Sequence, residues 1–158
     1  NYHAMNIIND FLSNYIQEKE IEYSNYFEDI LSRHLIKIIN NDCLLRLPIS
    51  SINRILSQYF KIKKTQEVSI NENKLIIDFV IKFIKKRGTQ TSFLLSMIKV
   101  EPENSEYLNQ KVYENINSID LNIAQAQIMR NIIILNQKQS EEEKRFKKEH
   151  EKSTLIDL

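Results

Sequence analysis

Apolar residues recur three and four apart along most of this chain, the repeat of an amphipathic helix. Ile7, Ile8, Phe11, Leu12 and Tyr15 predict a first helix ending near Gln17, ahead of a polar break from Glu18 to Glu22. Ser24 is the expected cap of a second, carried by Tyr26, Phe27, Ile30, Leu31, Leu35, Ile38 and Ile39 and stopped at Asn40 and Asn41. Asp42-Cys43-Leu44-Leu45-Arg46-Leu47-Pro48 then reads as a short helical turn and a sharp corner, after which Ser50 or Ser51 caps a helix over Ile52 to Tyr59. In Lys61 to Ile70, Ile62, Val68 and Ile70 alternate with polar residues; a loop is expected there, with room for a short extended segment.

The sharpest punctuation frames Asn71 to Gly88. Asn71 stands as cap, Glu72 complements the first turn, Lys85, Lys86 and Arg87 complement the last, and Gly88 marks the stop. Leu75, Ile76, Ile77, Phe79, Val80, Ile81, Phe83 and Ile84 nearly encircle that helix, which places it in the middle of the domain. Its β-branched content leaves a buried parallel strand as the alternative. Thr91 to Ile98 predicts a further short helix, Pro102 and Asn104 a break, and Ser105 to about Ile116 another helix. A last, long helix starts near Asp120. In it Leu121, Ile128, Ile132 and Leu135 approximate a heptad seam, although polar Gln125, Gln139 and Glu142 occupy its other positions until Phe146 and the seam weakens past Leu135. Glu141 to Lys152 is a charged run that pairs such as Glu143 with Lys147 can sustain in solvent, although Lys144 and Lys148 oppose it. Packing of the first half with a frayed remainder, and an intermolecular coiled coil, both fit this pattern.

These elements sum to an all-α fold, a small bundle of about six to eight helices with a long charged C-terminal helix. Three parts are expected: an N-terminal helix and linker over 1–25, a helical domain over 26–116 and a C-terminal helix over 117–158. Composition agrees. With 158 residues the chain is long enough to bury a substantial core, and Gly88, Pro48 and Pro102 are its only glycine and prolines, too few for a hairpin-rich β fold. The expected core residues are Leu45, Leu47, Pro48, Ile52, Ile55, Leu56, Leu75, Ile76, Val80, Phe83, Leu94, Leu95 and Ile98.

Charge and chemistry narrow the role. Lys and Arg total 22 against 21 Asp and Glu, so no global field draws the chain to nucleic acid or to an anionic membrane. Cys43 is the sole cysteine, which excludes an internal disulfide and a multi-cysteine zinc site and suits a reducing, cytoplasmic location. No apolar run reaches a membrane span, and no membrane association is expected. His3, His34 and His150 lie far apart, outside any metal-ligand spacing, and Cys43 has Asp42 rather than a cation beside it. The acidic pairs Glu18 with Glu20 and Glu101 with Glu103 sit in polar connections and read as solvated surface. With one glycine there is no phosphate-cradling loop. No catalytic, cofactor-binding or metal-binding residues are therefore expected, and no cofactor. Lys61, Lys63 and Lys64, with Lys82, Lys85, Lys86 and Arg87, are the basic clusters from which a nucleic-acid-binding module would have to be built, if the fold joins them. Service to the helix dipole is the simpler account of the second cluster.

Asp42 to Leu56, with Leu45-x-Leu47-Pro48 followed by Ile52, Ile55 and Leu56, resembles the BACK domain, the helical domain found after BTB domains. Glu72 with Leu75, Ile76, Val80 and Phe83 is similar to that family's acidic-headed apolar helix, Phe83 standing where an aromatic is usual. Leu94, Leu95, Ile98 and Lys99, then Leu108 and Val112, resemble its following segment, with Lys99 where arginine is common; Tyr26 to Ile39 fits the preceding helix. The likeness covers about Tyr26 to Val112. It implies a non-enzymatic scaffold, of the kind that in BTB-BACK proteins serves as an adaptor for cullin-type ubiquitin ligases. The chain departs from that plan after Val112, where a charged helix replaces kelch-type repeats, and before Tyr26, where no BTB domain fits. A helical protein-interaction module is the leading expectation, with a protein partner or a second copy engaged through Leu121, Ile128, Ile132 and Leu135; a helical nucleic-acid-binding module is the alternative.

Overall fold

The computed structural model describes residues 6, 8–10, 21–64 and 69–156, with the backbone alone for 21–24 and 153–156. Six named helices carry the fold: α1 (Ile21–Arg33), α2 (Leu35–Ile38), α3 (Ile49–Lys63), α4 (Ile70–Arg87), α5 (Pro102–Glu114) and α6 (Leu121–Ile156). Tighter 3-10 turns occupy Asp42–Arg46, Thr89–Met97 and Ile116–Ser118. Among the described residues there is no strand, so the all-α expectation holds. Most of the N-terminal helix predicted over Ile7 to Gln17 lies outside the described residues, as do His3, Glu18, Glu20 and Val68; Ile8 within it is helical and fully buried.

α4 is the centre, and a helix rather than a strand. Ile76, Ile77, Phe79, Val80, Ile81, Phe83 and Ile84 are all buried, and a single strip of Lys74, Asp78, Lys82 and Lys85 stays in water. α5 and the Thr89–Met97 turn pack along it, α2 and the Asp42–Arg46 turn touch it, α1 lies on α3, and α6 lies on α5. Every expected core residue is buried except Leu75, half-buried against the core, and Pro48, half-buried at the head of α3. Glu28, nearly inaccessible on α1, accepts from Nε and Nη2 of Arg54 on α3 at 2.6 and 2.7 Å, which satisfies the buried carboxylate and clamps the pair.

Several boundaries differ from the sequence reading. The second helix begins by Ile21, so Ser24 lies inside it instead of capping it. It also breaks at His34, where φ is −111° and ψ 16°. Just before the break the buried Ser32 hydroxyl donates to the Asp29 carbonyl at 2.7 Å, the side-chain competition that bends helices. α3 starts directly after Pro48, whose carbonyl accepts from Ile52 N at 3.1 Å, so Ser50 and Ser51 fall in its first turn, and it continues through Lys63 where a loop was expected. α4 is capped by Ser69, whose hydroxyl accepts from Glu72 N at 3.1 Å, two residues before the predicted Asn71. Pro102 opens α5 rather than breaking the chain, because a first helical position needs no N–H and the ring's fixed φ already suits it. Asn104 reaches back to accept from Glu101 N at 2.9 Å. Gly88 ends α4 as expected, at φ +114° and ψ 162°, a conformation that strains any side chain.

Candidate interaction surfaces

α6 lays a mixed face on the domain: Ala124, Gln127 and Asn131 are inaccessible, and Ile123 and Ile128 pack on the core beside them. The amides are satisfied: Asn131 Nδ2 donates to the Ser105 carbonyl at 3.3 Å and to Asn109 Oδ1, and Gln127 Nε2 donates to Asn131 Oδ1 at 3.4 Å. Such bonds set register while contributing only about 1 kcal/mol each. Facing solvent are Leu121 (60% exposed), Met129 (58%), Ile132 (44%) and Ile133 (51%). Single exposed apolar side chains such as Leu121 are ordinary, but Met129, Ile132 and Ile133, neighbours one turn apart, make a contiguous patch of the kind that marks an interaction surface.

Of the predicted seam, Ile132 belongs to this open patch and Leu121 is exposed two turns before it, whereas Ile128 packs on the core and Leu135 is half-buried. Met129 and Ile133 were not singled out from the sequence, because a heptad seam passes beside them. Every side chain from 136 to 152 is exposed, with Phe146 stacked on His150 at a ring separation of 6.3 Å. Gln137, Lys138, Glu141, Glu142 and Arg145 flank Lys99 to Glu103 at the head of α5 across an open, polar cleft.

The basic clusters do not converge. Lys63 pairs with Glu72 in the first turn of α4 at 3.7 Å, while Lys82 to Arg87 occupy its last turns, about 15 Å or more along the axis. Arg87 is structural: its Nη1 donates to the Leu45 and Leu47 carbonyls at 2.9 and 2.5 Å, and its guanidinium lies 5.2 Å from the Phe83 ring centre. Lys82, Lys85 and Lys86 instead flank a cleft of about 890 Å³ between α4, the Asp42–Arg46 turn and the end of α5.

Tyr107, outside the cleft on α5, donates to Asp78 Oδ1 at 2.5 Å, and loss of solvent followed by that bond pushes its hydroxyl up to about 12. At the far end of α4, burial followed by the Glu72 charge pushes Tyr59 up to about 12 as well, although neither Tyr59 Oη nor Glu72 Oε2 has a hydrogen-bond partner among the described residues. A phenol that resists ionisation in the folded chain but ionises at its ordinary pKa of 10 when unfolded stabilises the fold below pH 10, and that contribution is lost as pH rises toward 12. Tyr59→Phe is therefore expected to leave stability near neutral pH within about 1 kcal/mol of the parent and to flatten its alkaline decline, as read by urea melts on either side of pH 10.

His34 is exposed, and Cys43 is half-buried against the core. Glu101 is the cap residue just before Pro102 and pairs with Lys99 at 3.4 Å, and Glu103 lies in the first turn of α5, so the two belong to the helix start. Among the described residues no three His, Cys, Asp or Glu side chains gather as metal ligands, and no helix is long and apolar enough to cross a membrane. No family model, curated protein or solved structure matches this chain.

Proposed function

We propose that this chain is a non-enzymatic helical interaction module that pairs with a second copy through the outer face of α6. The observation that carries the reading is the apolar group that α6 leaves on its outer side, Met129, Ile132 and Ile133. The protomer's own packing does not use those apolar side chains, and a second helix would bury them at roughly 25 cal/mol per Å².

The resemblance of Leu45 to Leu56 and Glu72 to Phe83 to the BACK domain supports placing the module in an adaptor of the BTB-BACK kind, for which scaffolding of a cullin-type ligase is the corresponding role. A nucleic-acid-binding module ranks second, since it needs Lys61 to Lys64 and Lys82 to Arg87 on one surface. Light scattering across a concentration series tests the pairing: the mass is expected to rise from one protomer toward two. A protomer mass at every concentration would remove the proposal.

A further inference from the structure

We propose that the cleft between α4, the Asp42–Arg46 turn and the end of α5 is a docking site for an acidic peptide segment of a partner protein. Its floor is apolar, formed by the nearly inaccessible Leu45 and Ile81. Its walls carry Arg46, Lys82, Lys85, Lys86 and Lys111. The carboxylates that share the cleft are already engaged: Asp42 with Lys82 at 3.0 Å, and Asp78 and Glu114 each with Lys111 at 3.9 Å. Among the described residues Arg46, Lys85 and Lys86 make no ion pair, so the uncompensated charge at this site is positive.

Support of the helix dipole does not account for all of it. Arg87 is the last-turn cation bound to backbone carbonyls, and those belong to Leu45 and Leu47, while Arg46 comes from another element altogether. The spacing suits a peptide. Lys82 and Lys86 rise about 6 Å apart along α4, close to the roughly 7 Å between alternate side chains of an extended chain. Acidic side chains at alternate positions would meet this row, and an apolar residue beside them would reach Leu45 and Ile81. A nucleic-acid strand fits less well, because no aromatic ring lines the cleft to stack a base and Asp42, Asp78 and Glu114 interrupt the cations that a phosphate backbone would follow. A volume of about 890 Å³ is ample for a short segment.

The test is fluorescence anisotropy with a short labelled peptide of glutamates interrupted by leucine, titrated with the intact chain at low ionic strength. Saturable binding is expected, weakened about tenfold by the pair Lys85→Glu and Lys86→Glu. The pair Lys61→Glu and Lys64→Glu makes the same change in net charge at exposed positions away from the cleft, and is expected to leave binding unchanged. Arg46→Glu, on a different element, repeats the test should the α4 pair melt early. Absence of saturable binding, equal weakening by the control pair, or tighter binding of a single-stranded oligonucleotide of matched charge would each overturn the proposal.

Discussion

Phe83→Ala is expected to destabilise the chain by about 3–5 kcal/mol, a large share of what a domain of this size has to lose. Phe83 is completely buried in the helix that the other elements surround, 6.1 Å from the Phe79 ring and beneath the Arg87 guanidinium. Truncation forfeits the transfer free energy of the ring and leaves a void lined by residues that other helices already hold in place. It also takes away the surface on which Arg87 rests, so the effect reaches the Leu45 to Leu47 segment. Urea denaturation read by circular dichroism measures it. A loss below about 1 kcal/mol would mean that the site collapses without strain, which is incompatible with a central α4.

Arg87→Met comes second, at about 2–3 kcal/mol, because it strips the charged donor from the Leu45 and Leu47 carbonyls, which lie in a buried segment. Those bonds span about forty residues of chain and hold the corner before α3 against the end of α4. Arg87→Lys is expected to recover only part of the loss, since one ammonium does not present the guanidinium's spread of donors. Lys85→Met and Lys86→Met, next to it in sequence but exposed, should stay within about 0.5 kcal/mol of the parent. Equal losses at all three positions would show that the helix dipole, not the carbonyl contacts, gives Arg87 its value.

The contrast between Arg87 and its lysine neighbours illustrates where the sequence was readable. Burial at helical spacing was visible, which is why Leu47, Ile52, Val80 and Leu94 stand where periodicity places them. Hydrogen bonds between distant segments leave no such period, so nothing in Lys85-Lys86-Arg87 told the last residue from the first two. Cap positions slipped for a local reason: Ser69 and Asn71 are both good caps, and only the backbone decides which turns out of the helix. Pro102 carries opposite meanings at the first and at interior helical positions, and the sequence read it as a break. For α6 the period was legible but the direction was not. The same period suits packing on the domain and pairing outside it, and the buried side proves mixed, Ile123 and Ile128 lying beside Gln127 and Asn131, whose amides lie near the partners Ser105 and Asn109.

The decisive measurement is the light-scattering mass of the chain carrying Ile132→Glu and Ile133→Glu, at the concentration where the parent is expected to pair. If the outer face of α6 is the joint, the mass falls to a single protomer while helix content holds and the melting temperature loses its dependence on concentration, since neither side chain serves the protomer's own core. A mass equal to the parent's, or a collapse in helix content, would contradict the account and return those isoleucines to the interior of the fold.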